Sequence, residues 1–363
     1  MAMKKEHKEH LAVSLFLKHV ETLDLPTPIV LGAPADAIID IAQTLSKAQF
    51  VTDSVVEVAE AKRAGVSINL LDPLSTKATE KASSIIVFIP KSKALINSTL
   101  EMAARWVEQG TPFILVGEKA AGIESAKYAY ERYVGVVDEK IVGNHSALYK
   151  GTVSVEHNKV DTKKAFTETP ITVDGVTVKT AALPGVFNHG ALDDGTKLLL
   201  SHIPYDGKNV LDMACGSGVI GALYKSKNPE ANVDFADASI YATLSATETL
   251  RQNNLVGDVF LSDTFETIPK KEYDLIIVNP PFHTGIATDY SFIEKFTRNA
   301  NNYLARGGEV YTVANKFLKY KPLLEERVGS TETIFEDRRY SVYKTIKRIG
   351  QVRPARIERR SRQ

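Results

Sequence analysis

The sequence predicts an α/β protein of two tandem Rossmann-like domains, an internal duplication in which each copy is a mostly parallel sheet with helices on its faces. Three observations carry this. From Asp206 onward, short β-rich runs alternate with helical stretches, as in an open α/β sheet. The first half repeats that rhythm more faintly: Ile85-Ile86-Val87-Phe88-Ile89-Pro90 stands where the second half has Ile276-Ile277-Val278-Asn279-Pro280-Pro281. The length of 363 residues exceeds one ordinary core and suits two domains of roughly 150 to 200 residues.

In the first copy, 29–40 reads IVLGAPADAIID, a strand entering a loop without closely spaced glycines, so this copy is expected to bind no cofactor. After its apolar strand at 85–89 come a helix and a further strand over 113–117. Chance likeness between two α/β segments stays open as the alternative to duplication. Residues 171–180 read ITVDGVTVKT, two β-rich arms around Asp174-Gly175, which is a hairpin signal. The boundary therefore falls within 149–170, giving an N-terminal domain over 1–155 and a C-terminal domain over 156–363.

Leu183-Pro184-Gly185-Val186-Phe187 then leads into an expected helix over 192–200, packed beside the ligand site. Strands are expected at 209–212, 233–236, 259–262, 273–278 and 308–314, with helices near 219–226, 240–254 and 292–304. Two more strands, 331–335 and 341–346, give the second sheet an antiparallel finish.

Composition narrows the class. An apolar share of 44% with 25% charged residues reads as soluble and globular. The start, MAMKKEHKEH, has no apolar run suited to a signal peptide, and no segment approaches the ~20 apolar residues of a membrane span. A cytoplasmic monomer with no membrane partner is expected. The single cysteine, Cys215, excludes a disulfide framework or a multi-cysteine zinc site, and eight scattered histidines lack metal-ligand spacing, so no metal is expected.

The net charge of +1 conceals an asymmetry, because 341–363 holds eight Lys/Arg against one Glu. Such a tail can neutralise phosphates and attract RNA. It can equally be a solvated end, and both readings stand.

The first chemical constellation is Val210-Leu211-Asp212-Met213-Ala214-Cys215-Gly216-Ser217-Gly218, a buried strand running into a small-residue loop and then a helix. Small residues let the backbone approach a ligand, and ligands of open α/β sheets sit beyond the strands' carboxyl ends. Dinucleotide enzymes use similar loops, so the neighbours decide. Asp237, 25 residues after Asp212, follows the second strand, where a carboxylate can accept from both ribose hydroxyls. Asp263 follows the third, where it can accept from an adenine amine. Either aspartate alone also reads as a cap or turn residue; at consecutive strand ends the set outlines a nucleoside.

The second constellation is Asn279-Pro280-Pro281-Phe282-His283, directly after the apolar strand. Paired prolines fix the backbone and remove neighbouring N–H groups, so the Asn279 side-chain oxygen and the Pro280 carbonyl can both face one –NH2 group. Phe282 offers a face on which a planar base can stack. Such a clamp supports methyl transfer from a sulfonium donor: two acceptors stabilise the charge growing on nitrogen and hold its lone pair in line. A Pro-Pro turn ending a strand is the plainer reading. Cys215 lies inside the cofactor loop, which disfavours covalent attack on a pyrimidine. His283 can be a proton acceptor or a hydrogen-bonded surface residue.

With these motifs on hand, the chain resembles the bacterial ribosomal RNA small-subunit methyltransferase C family. The resemblance rests on Pro90-Lys91-Ser92-Lys93-Ala94, Leu115-Val116-Gly117-Glu118, residues 183–187, Asn279 to His283 and Val313-Ala314-Asn315-Lys316-Phe317-Leu318. It implies two tandem class I methyltransferase domains, of which only the C-terminal one binds S-adenosylmethionine and catalyses. It also implies methylation of N2 of a guanine in 16S rRNA within the small ribosomal subunit. Matching motifs carry Asp212, Ala214, Gly216 and Gly218 to the cofactor loop, Asp237 to the ribose and Asp263 to adenine. Asn279, Pro280 and Phe282 go to the target base, with Phe187 and Asn279 also counted as cofactor contacts.

Two departures stand out. Ala214 occupies the place of the loop's usual first glycine, and Asn188-His189-Gly190 follows Phe187 where an arginine is expected. Competing readings are a sister enzyme acting on large-subunit rRNA, a glutamine or adenine amine methyltransferase, and a noncatalytic RNA-binding assembly factor.

Overall fold

Apolar runs such as Ile85-Ile86-Val87-Phe88 and Leu275-Ile276-Ile277-Val278 need cover on both faces, which a parallel sheet between helices provides. In the computed structural model, which describes residues 10–75, 82–90, 92–157, 165–186, 192–281 and 286–348, both runs form central strands. The first half contains β1 (Pro28–Leu31), β2 (Gln49–Thr52), β3 (Ile68–Leu70), β4 (Ser84–Phe88), β5 (Pro112–Glu118), β6 (Val137–Gly143) and β7 (Ser146–Thr152). Its helices are α1 (Leu11–His19), α2 (Ile38–Thr44), α3 (Val55–Arg63), α4 (Lys93–Arg105) and α5 (Ile123–Tyr133). A hairpin, β8 (Thr167–Val173) and β9 (Val176–Ala182), turns at Asp174 and Gly175, both at positive φ as a tight hairpin requires.

The second half runs α6 (Asp194–Leu200), β10 (Asn209–Met213), α7 (Val219–Lys227), β11 (Asn232–Asp237), α8 (Ile240–Gln252), β12 (Val259–Leu261) and β13 (Tyr273–Val278). It continues with α9 (Ile286–Asn299), β14 (Leu304–Asn315), α10 (Tyr320–Arg327), β15 (Gly329–Glu336) and β16 (Tyr340–Lys347). The sheet orders are β3-β2-β1-β4-β5-β7-β6 and β12-β11-β10-β13-β14-β16-β15. The two orders are the same topology, which is the duplication read from the sequence. In each, the first five strands pair in parallel, and the sixth in the order, β7 or β16, lies antiparallel to both of its neighbours. No helix among the described residues is long and apolar enough to cross a membrane.

The larger boundary differences from expectation lie at α8, α9 and β14. The helix expected at 292–304 is α9, which ends at Asn299, and the next strand starts at Leu304 rather than 308. Gly307-Gly308 sits in an irregularity of β14: Tyr273 pairs with Leu304, then Leu275 with Glu309. Gly307 has φ +76, and a Cβ on Gly308 would meet the Tyr273 carbonyl oxygen at 2.9 Å. Helix α8 stops at Gln252, before the left-handed Asn254. Finally, Ser341 to Lys347 lie within β16, paired to β14 and β15, so the first third of the basic tail is sheet.

Helix α8 ties the pieces together. Ser245, Thr249 and Asn253, spaced four apart along one face, accept from the backbone N–H groups of Leu183, Ala181 and Lys179 (2.9–3.0 Å). They satisfy the outer edge of β9 as a neighbouring strand would. At its other end the two copies meet through equivalent turns. Ser54 and Ser239 form an antiparallel bridge, Val55 N–H donates to the Ala238 carbonyl (3.0 Å), and Ile240 N–H donates to the Asp53 carbonyl (2.8 Å).

Candidate active site

The parallel order β12-β11-β10-β13 brings the carboxyl ends of four strands side by side, and every described site residue expected from sequence lies there or in the loop after β10. Asp212 is fully buried near the end of β10. Its Oδ2 accepts from Gly221 N–H (2.8 Å), which ties the strand to α7, while Oδ1 has no partner among the described residues. Burial pushes its carboxyl up to about 7, with the charge of Asp237 adding to the effect.

The loop beyond holds Ala214, Gly216 and Gly218 at φ +58, +54 and +76. Alanine therefore does a glycine's work at 214, in a conformation that costs an L-residue about 1–2 kcal/mol. Gly218 caps α7, and a Cβ there would press on Ala246 of α8 at 3.1 Å, so it sets helix packing as well as the turn. Cys215 is buried and burial raises its thiol well above the ordinary value, which keeps it from acting as a thiolate.

Asp237 closes the loop from the neighbouring strand. Its Oδ2 accepts from Gly216 N–H and its Oδ1 from Ser239 N–H, both at 3.0 Å. One bond per oxygen leaves lone pairs for a further donor. Burial raises its carboxyl, and Asp53 of the other copy pushes the same way. Asp263, after β12, is buried and ion-paired to Lys295 of α9, which also reaches Glu266 (2.5 Å). Beside it, Thr264 adopts φ +54 and its buried hydroxyl has no partner among the described residues.

Asn279 follows β13 and is 8% exposed. Its Nδ2 donates to the Thr196 hydroxyl of α6 (2.8 Å), while its buried Oδ1 accepts from nothing among the described residues. Pro280 is buried and Pro281 exposed. Phe187, Phe282 and His283, and the Asn188–Gly190 stretch, lie outside the described residues.

Of the buried side-chain oxygens without a partner among the described residues, Asp212 Oδ1, Thr264 Oγ1 and Asn279 Oδ1 sit at or just past the ends of β10, β12 and β13. Native interiors rarely leave such atoms unpaired without a ligand, an ion or an ordered water to take them. Thr264, Lys295 and Thr196 had no motif to announce them; only the Asp193 cap before α6 is legible locally. In the first copy, strand registers place Val30 where Asp212 stands, Thr52 where Asp237 stands and Phe88 where Asn279 stands; Asp72 alone matches Asp263.

Residues 14–169 match the family described as Methyltransferase small domain N-terminal, and 177–344 match Methyltransferase small domain. The chain is similar to the ribosomal RNA small subunit methyltransferase C of Colwellia psychrerythraea, 32% identical over 91% of this chain and 96% of that one. The enzyme of the same name from Pseudoalteromonas translucida is 36% identical over 71% of this chain and 76% of that one. In fold it is similar to a T. thermophilus 16S rRNA N2 G1207 methyltransferase solved with AdoMet and guanosine, at TM-score 0.78, 23% identity, and coverage of 95% of this chain and 93% of that one. Similarity at 32% identity spread over both halves answers the question of kinship: the chain belongs to the ribosomal RNA small subunit methyltransferase C family.

Proposed function

We propose that the C-terminal half transfers a methyl group from S-adenosylmethionine to N2 of a guanine in 16S rRNA of the small ribosomal subunit. The observation that carries this reading is the buried Oδ1 of Asn279, without a partner among the described residues, an acceptor set in a Pro-flanked turn beside the cofactor loop. Membership of the family supplies the RNA and the base.

The residues fit the cofactor. Asp237 has lone pairs for the ribose hydroxyls, Asp263 for the adenine amine, and Asp212 and the 214–218 loop form the floor. S-adenosylmethionine supplies an activated methyl and, on transfer, leaves as a neutral thioether. The protein supplies alignment: Asn279 Oδ1 and the Pro280 carbonyl hold the guanine amine and stabilise the positive charge that grows on its nitrogen. The excess proton then departs from the methylated amine. Phe187 and Phe282 are assigned to flank the cofactor and the base. Replacement of Asp212, Asp237 and Asn279 by Val30, Thr52 and Phe88 supports a first domain that binds no cofactor and serves folding and RNA positioning.

The test is transfer of labelled methyl to undermethylated small subunits, large subunits and naked RNA, with nucleoside analysis. The reading requires N2-methylguanosine in small-subunit RNA. Label confined to large-subunit RNA would move the substrate to the other subunit.

A further inference from the structure

The amide of Asn279 can lie either way round in its turn, and only one orientation offers an acceptor to an amine. Nothing in the Asn-Pro-Pro motif makes that choice. The hydrogen bonds behind the motif do. Asp193 caps α6 and holds Thr196 by two bonds: Oδ1 accepts from Thr196 N–H (3.1 Å), and Oδ2 accepts from the Thr196 hydroxyl. A carboxylate can only accept, so the single hydroxyl proton of Thr196 is committed to Asp193. Thr196 Oγ1 can then only accept from Asn279, 83 residues away, and the Asn279 –NH2 must face it. The carbonyl is left at the opposite corner of the amide. Thr196 is 1% exposed, so water does not compete for this hydroxyl.

We propose that Asp193 and Thr196 are positioning residues that fix the Asn279 amide with its oxygen toward the substrate amine. This proposal rests on the methyl-transfer reading and adds to it the element that sets the clamp's polarity. The substitution Asp193→Asn reverses the logic while preserving the helix cap, because asparagine caps as well as aspartate. Its Oδ1 keeps the Thr196 N–H and its –NH2 donates to Thr196 Oγ1. The hydroxyl proton is then released toward Asn279, whose oxygen turns to accept it. The site is left presenting a donor to a donor.

The experiment measures single-turnover methyl transfer to undermethylated small subunits by the full chain and by Asp193→Asn, Thr196→Val and Thr196→Ser, with S-adenosylmethionine affinity measured separately by calorimetry. Asp193→Asn and Thr196→Val should slow transfer about 10- to 100-fold, the scale of a misplaced reacting group, with cofactor affinity within about twofold. Thr196→Ser, which keeps the hydroxyl, should restore transfer to within a few-fold. A parental rate in Asp193→Asn overturns the proposal, as does a loss of cofactor affinity that parallels the loss of rate, which marks a role in capping alone. If Thr196→Val does not fold, Asp193→Asn decides. An inactive parent protein on every subunit instead overturns the methyl-transfer reading, and the proposal with it.

Discussion

The hydroxyl of Ser239 donates to the carboxylate of Asp53 at 2.8 Å, joining the turn after β11 to its counterpart in the other copy. Ser239 stands at the N-cap of α8 yet makes no side-chain cap bond there. Its hydroxyl spans the two halves instead, one residue beyond Ala238 and two beyond Asp237. The first copy therefore braces the cofactor site of the second through the very turn that each inherited.

Ser239→Ala removes a hydrogen bond to a charged group, worth about 1.5–3 kcal/mol. We expect a loss of stability of that order and a few-fold fall in S-adenosylmethionine affinity, read by denaturant unfolding and calorimetry. An unchanged affinity would show that the two halves do not communicate through this turn.

Ala214→Gly should stabilise the protein by about 0.5–1 kcal/mol, since relief of the left-handed strain outweighs the added freedom of the unfolded chain. A thermal melt reads the gain directly. A lower melting temperature would mean that the methyl group of Ala214 packs usefully enough to offset its strain.

The buried Asp212 makes a pH-dependent contribution whose sign is fixed. Its folded-state value of about 7 lies above the ordinary 3.8, so the folded protein holds this proton more tightly than the unfolded chain. Its contribution is fully present below about pH 4 and is lost as pH rises through about 7; Asp237 is shifted in the same direction. Without cofactor, the thermal advantage of Asp212→Asn over the parent should grow from pH 4 to 7 and level off above, reaching on the order of a few kcal/mol. A difference that does not vary with pH contradicts the assignment.

The basic tail can be tested only beyond the sheet. Deletion from Ser341 would remove β16, which pairs with two strands, whereas deletion of 349–363 removes five arginines and one glutamate and leaves the sheet whole. The shorter deletion should weaken RNA binding and flatten its dependence on salt, seen in titrations at several ionic strengths. An unchanged slope would assign the tail no phosphate contacts.

What could be read from sequence followed the reach of each signal. Continuous apolar runs, the Asp174-Gly175 turn and the 214–218 loop are local, and each formed the element expected of it. The start of β14 at Leu304 rather than 308 was not legible, because the irregular register that carries the strand through Gly307-Gly308 depends on pairing with Tyr273. The placement of Asp212, Asp237, Asp263 and Asn279 beside one another was legible because each stands at or just past the end of an apolar strand. The Thr196–Asn279 bond and the Lys295–Asp263 pair were not, since each joins residues over 30 positions apart through tertiary packing that leaves no periodic trace.

The most direct measurement on the central claim is single-turnover methyl transfer by Asn279→Ala alongside its affinity for S-adenosylmethionine. Loss of one preorganised acceptor costs about 3 kcal/mol of transition-state stabilisation, so transfer should fall at least a hundredfold while cofactor affinity stays within a few-fold. Transfer at the parental rate, or a fall in affinity that matches the fall in rate, would contradict a clamp that works by holding the guanine amine.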